Sequence, residues 1–332
     1  MNLTVNPTDN HPGFSVRMED PFTVCLAPEG GYFVHPVASH LTDGKLILRI
    51  SRDEDIVDAE YCVFLSDDGG RTWELEPNWP MGDGNGRHLN TSHTLLPDGT
   101  SLVVYRHAIS TGRKNEYVVP AFTSADNGKT WTAVEPEPFE IPYGEPIDFF
   151  LPGQWPIQQR EKPTPGMEEL FVKYGNERLG WGFWPLYPLN NDTVLGFYMV
   201  GTHTHPEQRY CTLCMETQNR GRSWSLRSVP GAFDLQYETK NRQKKPLQGF
   251  CEPSVVRLPN GDHLIVMRIG AWQPLHIARS SDDCRTWTNP RPIPVFGIRP
   301  VVLMLPGGIL ALASGRPDNT LSFSFDNGES WP

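Results

Sequence analysis

A charged loop carries the densest group of potentially reactive side chains in the sequence. The segment RISRDEDIVDAEY holds Arg49 and Arg52, followed by Asp53, Asp55 and Asp58. Guanidinium groups bind carboxylates in a planar, bidentate geometry, so the arginines suit an anionic ligand. So many charges between two strands are tolerated where a ligand uses the loop; the alternative is a solvated charged loop. We favour the functional interpretation, with Arg52 and either Asp55 or Asp58 as its active residues.

The histidine and cysteine spacings indicate no metal site. His203 and His205 alternate as they would on one face of a strand, but no further ligand is fixed by spacing. Cys211 and Cys214 form a CxxC in RYCTLCMET, which alternates like a strand and lacks the second pair that a zinc site needs. We therefore expect buried free thiols, no metal and no cofactor.

A sequence repeat indicates the strands and turns that position these residues. It reads Ser-x-Asp-x-Gly-x-x-Trp and is here called the box. Intact copies start at Ser66, Ser124 and Ser324, and degraded copies start at Thr217 (TQNRGRSW) and Ser280 (SSDDCRTW). The Asp or Asn side chain of the box folds back onto backbone N–H groups, and glycine supplies a positive φ, except in the copy at Ser280, where Cys284 stands at the glycine position. The Trp packs the turn onto its sheet. Five such copies in register predict a repeated β-sheet architecture.

A second repeated unit, two apolar strands joined by a tight turn, precedes the boxes. It reads LTDGKLILRI, LLPDGTSLVVYR, RLPNGDHLIVMR and MLPGGILALAS. The boxes start 58, 93, 63 and 44 residues apart, and a four-stranded blade needs roughly 40–50 residues. The 93-residue interval therefore predicts a blade without a box, around LFVKYG, GWGFWPLYPL and DTVLGFYMV. We predict an all-β, six-bladed β-propeller with Asp-box repeats, forming a single domain over residues 1–332.

The two ends of the sequence leave the closure of the last blade open. The sequence stops at Pro332, directly after a box, where the last blade still needs its outer strand. Either an N-terminal strand such as Phe22–Ala27 closes the ring, or the chain is truncated. Residues 1–13 show no basic region and no apolar region of a signal peptide. We therefore expect a cytoplasmic protein, or a secreted one if a leader has been removed.

The overall charge restricts the class of partner. The chain has 29 basic and 39 acidic side chains and a net charge of −10, which argues against nucleic acid or anionic lipid because both need a basic face. No stretch approaches the ~18 apolar residues of a membrane span. A glycan or a small acidic sugar, held by a few arginines, stays compatible with this composition. The sequence leaves the oligomeric state open.

The boxes resemble the BNR/Asp-box repeats of the sialidase (neuraminidase) superfamily, and the resemblance covers nearly the whole chain. Sialidases hold the substrate carboxylate with three arginines, use a Glu-activated Tyr as nucleophile and use an Asp as acid and base. The resemblance implies a glycoside hydrolase of the exo-sialidase type, acting on a terminal sialic-acid-like or other acidic sugar. The boxes specify the fold, whereas related propellers include lyases and proteins that bind glycans without turnover.

The resemblance also implies particular site residues. The segment GFCEPSVVRLPNGDHLIVMR matches the family pattern of a Glu-Pro followed by a turn and an arginine. The catalytic residues implied are Asp55, Asp58 and Glu252. The substrate-binding residues implied are Arg52, Arg268, Arg299 and Arg316.

Two departures from the family pattern keep other activities open. The first family arginine is replaced by Val34 in Phe33-Val34-His35-Pro36, and the family tyrosine would lie beyond Pro332. Propeller-type polysaccharide lyases use His and Tyr for proton abstraction and Arg to neutralise a uronate. For that alternative, the candidates are His93 and His107, at the ends of the hairpin NTSHTLLPDGTSLVVYRHA. A non-catalytic glycan-binding propeller is the third alternative.

Overall fold

The fold is described by a computed structural model of the chain. It describes residues 14–16, 23–26, 33–52, 60–82, 84, 86, 88–141, 173, 178–179, 182–202, 209–231, 248–270, 272–316 and 318–331. No helix among these residues is long and apolar enough to cross a membrane.

The described strands form six antiparallel sheets, five of four strands and one of three. Sheet 1 contains β1 (Phe33–His40), β2 (Leu46–Arg52), β3 (Glu60–Ser66) and β4 (Glu74–Leu75). Sheet 2 contains β5 (Thr91–Leu95), β6 (Ser101–Tyr105), β9 (Ala121–Ser124) and β10 (Thr132–Val134). Sheet 3 contains β7 (Ala108–Ser110), β8 (Glu116–Val118), β11 (Phe139–Glu140) and β12 (Arg178–Leu179).

The remaining three sheets follow one another along the chain. Sheet 4 contains β13 (Phe183–Pro188), β14 (Val194–Thr202), β15 (Arg209–Thr217) and β16 (Ser225–Gly231). Sheet 5 contains β17 (Cys251–Arg257), β18 (His263–Arg268), β19 (Pro274–Ser280) and β20 (Arg291–Phe296). Sheet 6 contains β21 (Ile298–Leu305), β22 (Ile309–Gly315) and β23 (Thr320–Ser324). The all-β, six-bladed propeller is confirmed: five sheets end their third strand in a box, and sheet 3 carries none.

The location predicted for the box-free blade was correct only in part, because the 93-residue interval supplies β11 and β12 of sheet 3 but not β7 and β8. The segments GWGFWPLYPL and DTVLGFYMV supply β13 and β14, the first two strands of the sheet that ends in the box at Thr217. Sheet 3 begins earlier, because β7 follows β6 after only two residues and pairs with β8. The strands β11 and β12 then join from more distant parts of the chain. The apolar pattern in these two segments correctly predicted β-strands. It could not predict which sheet β13 and β14 belong to.

The intact boxes fold as hydrogen-bonded turns. In the box at Ser124, the serine hydroxyl donates to Asp126 at 2.8 Å and accepts from the Gly128 N–H at 2.8 Å. The Asp126 carboxylate also accepts from the N–H and the hydroxyl of Thr130, at 2.8 and 2.5 Å. Gly128 has a φ of 83°, a left-handed conformation that favours glycine. The box therefore surrounds one exposed carboxylate with several donors from its own turn.

The degraded boxes keep this arrangement with different atoms. The Thr217 hydroxyl donates to Oδ1 of Asn219 at 2.8 Å, and the same oxygen accepts from the Ser223 N–H at 3.0 Å. At Ser280 the glycine position is occupied by Cys284, which has a φ of 64° and a buried side chain. The turn survives because the serine hydroxyl still accepts the Cys284 N–H at 2.9 Å.

The ends of the chain meet at sheet 6. The Phe14 ring lies edge-on to Phe323 and Phe325, with centroid distances of 4.9 and 5.2 Å. The expected closing strand Phe22–Ala27 is described only at residues 23–26, and these form no strand. Among the described N-terminal residues, the contact with the last sheet therefore comes from Phe14.

The box carboxylates predict an acid-sensitive fold. Hydrogen bonds, led by those from the hydroxyls of Thr130 and Thr286, lower the pKa of Asp126 and of Asp282 to about 2. Their stabilising contribution is complete above the unfolded pKa of about 3.9 and is lost as the pH falls through about 2. We expect the thermal unfolding temperature of the parent to fall steeply between about pH 4 and pH 2.

Two variants show whether the box carboxylates or other carboxylates cause this pH dependence. Asp126→Asn with Asp282→Asn removes two titrating groups, so its unfolding temperature should depend less on pH over this interval. Asp192→Asn, in an exposed turn, is the matched control and should follow the parent. A double variant as acid-sensitive as the parent would show that the boxes do not carry this dependence.

Candidate functional site

The first strands of sheets 1, 2, 4, 5 and 6 lie side by side in that order. β1 packs against β5, β5 against β13, β13 against β17, and β17 against β21. Side chains near the start of these strands, and near the end of the adjacent second strands, are therefore brought together from different sheets. The charged residues at these positions form the candidate site.

Glu252 is the described carboxylate of the candidate site. It is buried at the start of β17, at an irregularity in the pairing with β18 between Cys251 and Ser254. Its Oε1 accepts from Nη1 of Arg268 at 2.6 Å, and its Oε2 accepts from the backbone N–H of Arg299 at 2.7 Å. Both carboxylate oxygens are thus fixed, one by sheet 5 and one by sheet 6.

Arg268 holds this carboxylate from the end of β18. Its position is set by pairing with Cys251, next to Glu252 in sequence. Its Nη2 donates to Oε1 of Gln248, while its buried Nε has no hydrogen-bond partner among the described residues. One donor of the guanidinium is therefore buried without a partner among the described residues.

Arg106 enters the site from sheet 2. Its Nε donates to the Phe183 carbonyl at 3.3 Å and its Nη1 donates to Oδ1 of Asn90 at 3.1 Å. Burial is the main cause that lowers the pKa of Arg106 to about 10. The nearby charges of Arg299 and Arg49 act in the same direction, and Tyr61, which shares a side-chain hydrogen bond with Arg106, acts against them.

Arg49 is a second buried guanidinium beside Arg106. It donates to the Thr91 carbonyl, and its Nε has no partner among the described residues. Burial lowers the pKa of Arg49 to about 10, with Tyr61 acting in the opposite direction. No ion pair joins Arg49 to a carboxylate within the described part of the chain.

These residues form one group, here called the central cluster. It consists of Arg49, Tyr61, Arg106, Glu252, Arg268 and Arg299. Four sheets contribute to it. Arg268 pairs with Glu252, the Arg299 N–H also holds that carboxylate, and Arg106 lies near the charges of Arg299 and Arg49. Because a buried charge is costly unless it is paired, such an excess of positive charge suits an anionic ligand. The chain as a whole has a net charge of −10, so the positive charge of the central cluster is opposite in sign to the charge of the protein.

The other residues implied for the site differ in their placement. Arg299 is half-buried and contributes its backbone N–H to Glu252. Arg316 is exposed just after β22, and no described hydrogen bond or ion pair joins it to the central cluster. The side chain of Arg52 and the whole of Asp55 and Asp58 lie outside the described residues.

The two histidines of the lyase alternative lie in sheet 2. His93 is buried, with Nδ1 3.0 Å from the Ser39 hydroxyl and Nε2 3.3 Å from the Ser101 hydroxyl. Burial, aided by the charge of Arg49, lowers the pKa of His93 to about 3. Nδ1 therefore joins sheet 2 to sheet 1, and Nε2 forms a contact within sheet 2. His107 is buried next to Arg106, with its ring 5.3 Å from that of Tyr105.

The cysteines are placed as expected for core residues. Cys211 and Cys214 are buried in β15 as free thiols. No group of three or more His, Cys, Asp or Glu side chains in the described part of the chain is placed to hold a metal ion.

Sequence reasoning missed Arg106 and Tyr61 as members of the site. A signal for Arg106 was present, because it follows the apolar strand SLVVY as Arg268 ends the apolar strand HLIVM. Tyr61 gave no comparable signal, since it lies within an ordinary strand and reaches the site only through packing of sheet 1 against sheet 2.

The comparisons with known proteins agree with this architecture. A sequence model of the BNR/Asp-box repeat matches residues 64–75, at the end of β3 and over the first box. The chain therefore carries this repeat. A comparison with curated protein sequences finds no match.

Solved structures share the fold at low sequence identity. A protein of unknown function from Dyadobacter fermentans is 17% identical, with a TM-score of 0.62 over 93% of this chain and 84% of that one. An alpha-L-arabinanase from Penicillium chrysogenum, complexed with arabinobiose, is 17% identical, with a TM-score of 0.57 over 92% and 82%. The Hadza microbial sialidase Hz136 is 15% identical, with a TM-score of 0.53 over 90% and 57%. These similarities show a common propeller fold.

Proposed function

We propose that the protein is a glycoside hydrolase that releases a terminal acidic sugar from a glycan, binding the sugar at the central cluster. The observation that carries this proposal is the central cluster, in which Arg106 lies near Arg49 and Arg299 while Arg268 and the Arg299 N–H hold the carboxylate of Glu252. Solved structures with this fold include an alpha-L-arabinanase bound to arabinobiose and a sialidase, which supports a glycan as the substrate. The surplus of arginine favours an acidic sugar over a neutral one.

The proposed chemistry uses two carboxyl groups. Glycoside hydrolysis usually pairs one carboxylate, acting on the nucleophile, with a second carboxylic acid that protonates the leaving oxygen. We assign the first role to Glu252, which accepts the proton of the attacking nucleophile. We assign the second role to Asp55 or Asp58, in the loop that joins β2 to β3. The strand ends Arg52 and Glu60, which anchor that loop, lie at the Tyr61 end of sheet 1.

The arginines have separate tasks in this scheme. Arg268 and the Arg299 N–H hold Glu252 in a single orientation, so the carboxylate is aligned before substrate binds. Arg106, supported by Arg49 beside it, contributes the positive charge that binds the sugar carboxylate. The protein thus separates alignment of the reacting carboxylate from recognition of the substrate anion.

Replacing Arg106 by lysine tests the recognition step. Lysine keeps the charge but loses the planar fork of donors, so we expect KM for an acidic glycoside to rise about tenfold, as for one lost bond of ~1.5 kcal/mol to a charged group. The control is Arg285→Lys, at an exposed box turn, with no expected change. Thermal unfolding of both variants verifies folding. An unchanged KM in a folded Arg106→Lys protein would remove Arg106 from the binding scheme.

A further inference from the structure

Four of the first strands share one irregularity at the same place. In β1, β13, β17 and β21, the pairing with the second strand shifts register over a two-residue step whose second residue is proline. The four steps are His35-Pro36, Trp184-Pro185, Glu252-Pro253 and Arg299-Pro300. Such bulges redirect a side chain and are frequent next to active sites.

The backbone at these steps is unusual. His35, Glu252 and Arg299 have φ values of 60°, 50° and 49°. Residues without glycine's freedom rarely adopt positive φ, and a following proline favours an extended conformation instead. The chain also shows positive φ in its box turns, but there the conformation belongs to a hairpin. Within a strand, positive φ at a residue other than glycine costs conformational free energy. Its repetition at equivalent positions points to a functional requirement.

The repeat relates His35 to two members of the central cluster. Glu252 supplies the carboxylate, and Arg299 supplies the N–H that holds it. His35 occupies the same step of β1 and is half-buried. The second strands differ at this place, because Ser51 pairs with Val34 directly before the His35 step, whereas Arg268 pairs with Cys251 directly before the Glu252 step.

The two sheets differ in the charge placed at this step. In sheet 5 the step carries an acid beside Arg268, whereas in sheet 1 it carries an imidazole, with Ser51 at the position equivalent to Arg268. Aligning the chain by this structural step places His35, not Val34, at the position equivalent to Glu252. Sheet 1 thus offers a hydrogen-bond donor where sheet 5 offers an acceptor.

We propose that His35 is a substrate-binding residue of the central cluster, donating a hydrogen bond to the anionic group of the acidic sugar. This assignment rests on the proposed hydrolase function and adds a specificity-determining residue to it. It places the sugar carboxylate towards sheets 1 and 2, near Arg106, and the bond to be cleaved towards Glu252.

The test compares His35→Asn with His40→Asn in two assays. Asparagine tolerates positive φ better than most residues, so the bulge is kept while the imidazole is lost. His40 is exposed at the other end of β1 and serves as the matched control. We measure aglycone release from an aryl glucuronide and an aryl sialoside, and binding of free glucuronic acid and free sialic acid by calorimetry.

For His35→Asn we expect KM, and the dissociation constant of the sugar that binds the parent, to rise about tenfold, as for one lost bond to a charged group. Its kcat should stay within about threefold of the parent, and His40→Asn should match the parent. If the parent releases aglycone and His35→Asn behaves like it, the assignment of His35 fails while the hydrolase function stands. If the parent neither releases aglycone nor binds either free sugar, the proposed function fails, and the assignment of His35 fails with it.

Discussion

Replacing Glu252 by glutamine should lower kcat on an acidic glycoside by roughly 10²–10⁴-fold, the usual contribution of a positioned acid or base. Glutamine has nearly the same shape and keeps an acceptor for Arg268, but it cannot accept a proton from the nucleophile. Its amide nitrogen also meets one of the two donors that now hold the carboxylate. We therefore expect a folded protein that binds the sugar and turns it over very slowly, measured by initial rates of aglycone release.

The control for this variant is Glu216→Gln. Glu216 forms a similarly buried ion pair with Arg227 in sheet 4 and has no described contact with the central cluster. Glu216→Gln should lose stability to a comparable extent without losing activity. Equal activity losses in the two variants would show that the Glu252 effect comes from damage to the fold rather than from chemistry.

The second large effect is expected from Gly182→Ala. Gly182 lies directly before β13, and its carbonyl accepts from the Met199 N–H at 3.2 Å. A Cβ at this position would overlap the carbonyl group of Arg106. Because the obstacle is backbone, no side-chain rotation relieves it, and sheets 2 and 4 would have to separate. We expect the free energy of unfolding to fall by about 3 kcal/mol or more, measured by urea denaturation.

Gly315→Ala is the matched substitution for this experiment. Gly315 ends β22, has no positive φ, and offers a Cβ only ordinary contacts of 3.7 Å and longer. We expect its free energy of unfolding to change by less than about 0.5 kcal/mol, because the substitution creates neither a steric overlap nor backbone strain. If Gly182→Ala were as stable as Gly315→Ala, the close approach that positions Arg106 would be absent from the protein in solution.

The fold was predictable because its main signals are local. Each box encodes a turn within eight residues, through a carboxylate, a positive φ and an anchoring indole, so it can be recognised without knowing what it packs against. Sheet 3 has no such signal. Its strands are two or three residues long, and Ala108 pairs with Leu179, far along the chain. Pairing over this distance is decided by packing, which no local pattern records.

The site was predictable only in part, for a related reason. Glu252 and Arg268 are joined by the register of one hairpin, so a sequence pattern around a single turn contains both. Arg106 meets Tyr61 and Arg299 from three different sheets, and no spacing in the sequence reports that meeting. His35 was passed over because the family pattern drew attention to Val34, whereas the bulge places the residue before proline at the equivalent position.

The most direct test of the proposed function is a matched pair of substrates. Aryl glucuronides and aryl glucosides of either anomer differ only in the sugar carboxylate, and an aryl sialoside is assayed beside them. Ultraviolet absorbance of a uronate polysaccharide is followed in parallel, since it reports elimination. We predict aglycone release from an acidic glycoside at a kcat/KM at least about tenfold above that of its neutral counterpart, the value of one good carboxylate contact. Release from neutral glycosides alone, or rising absorbance without release, would contradict the proposed function.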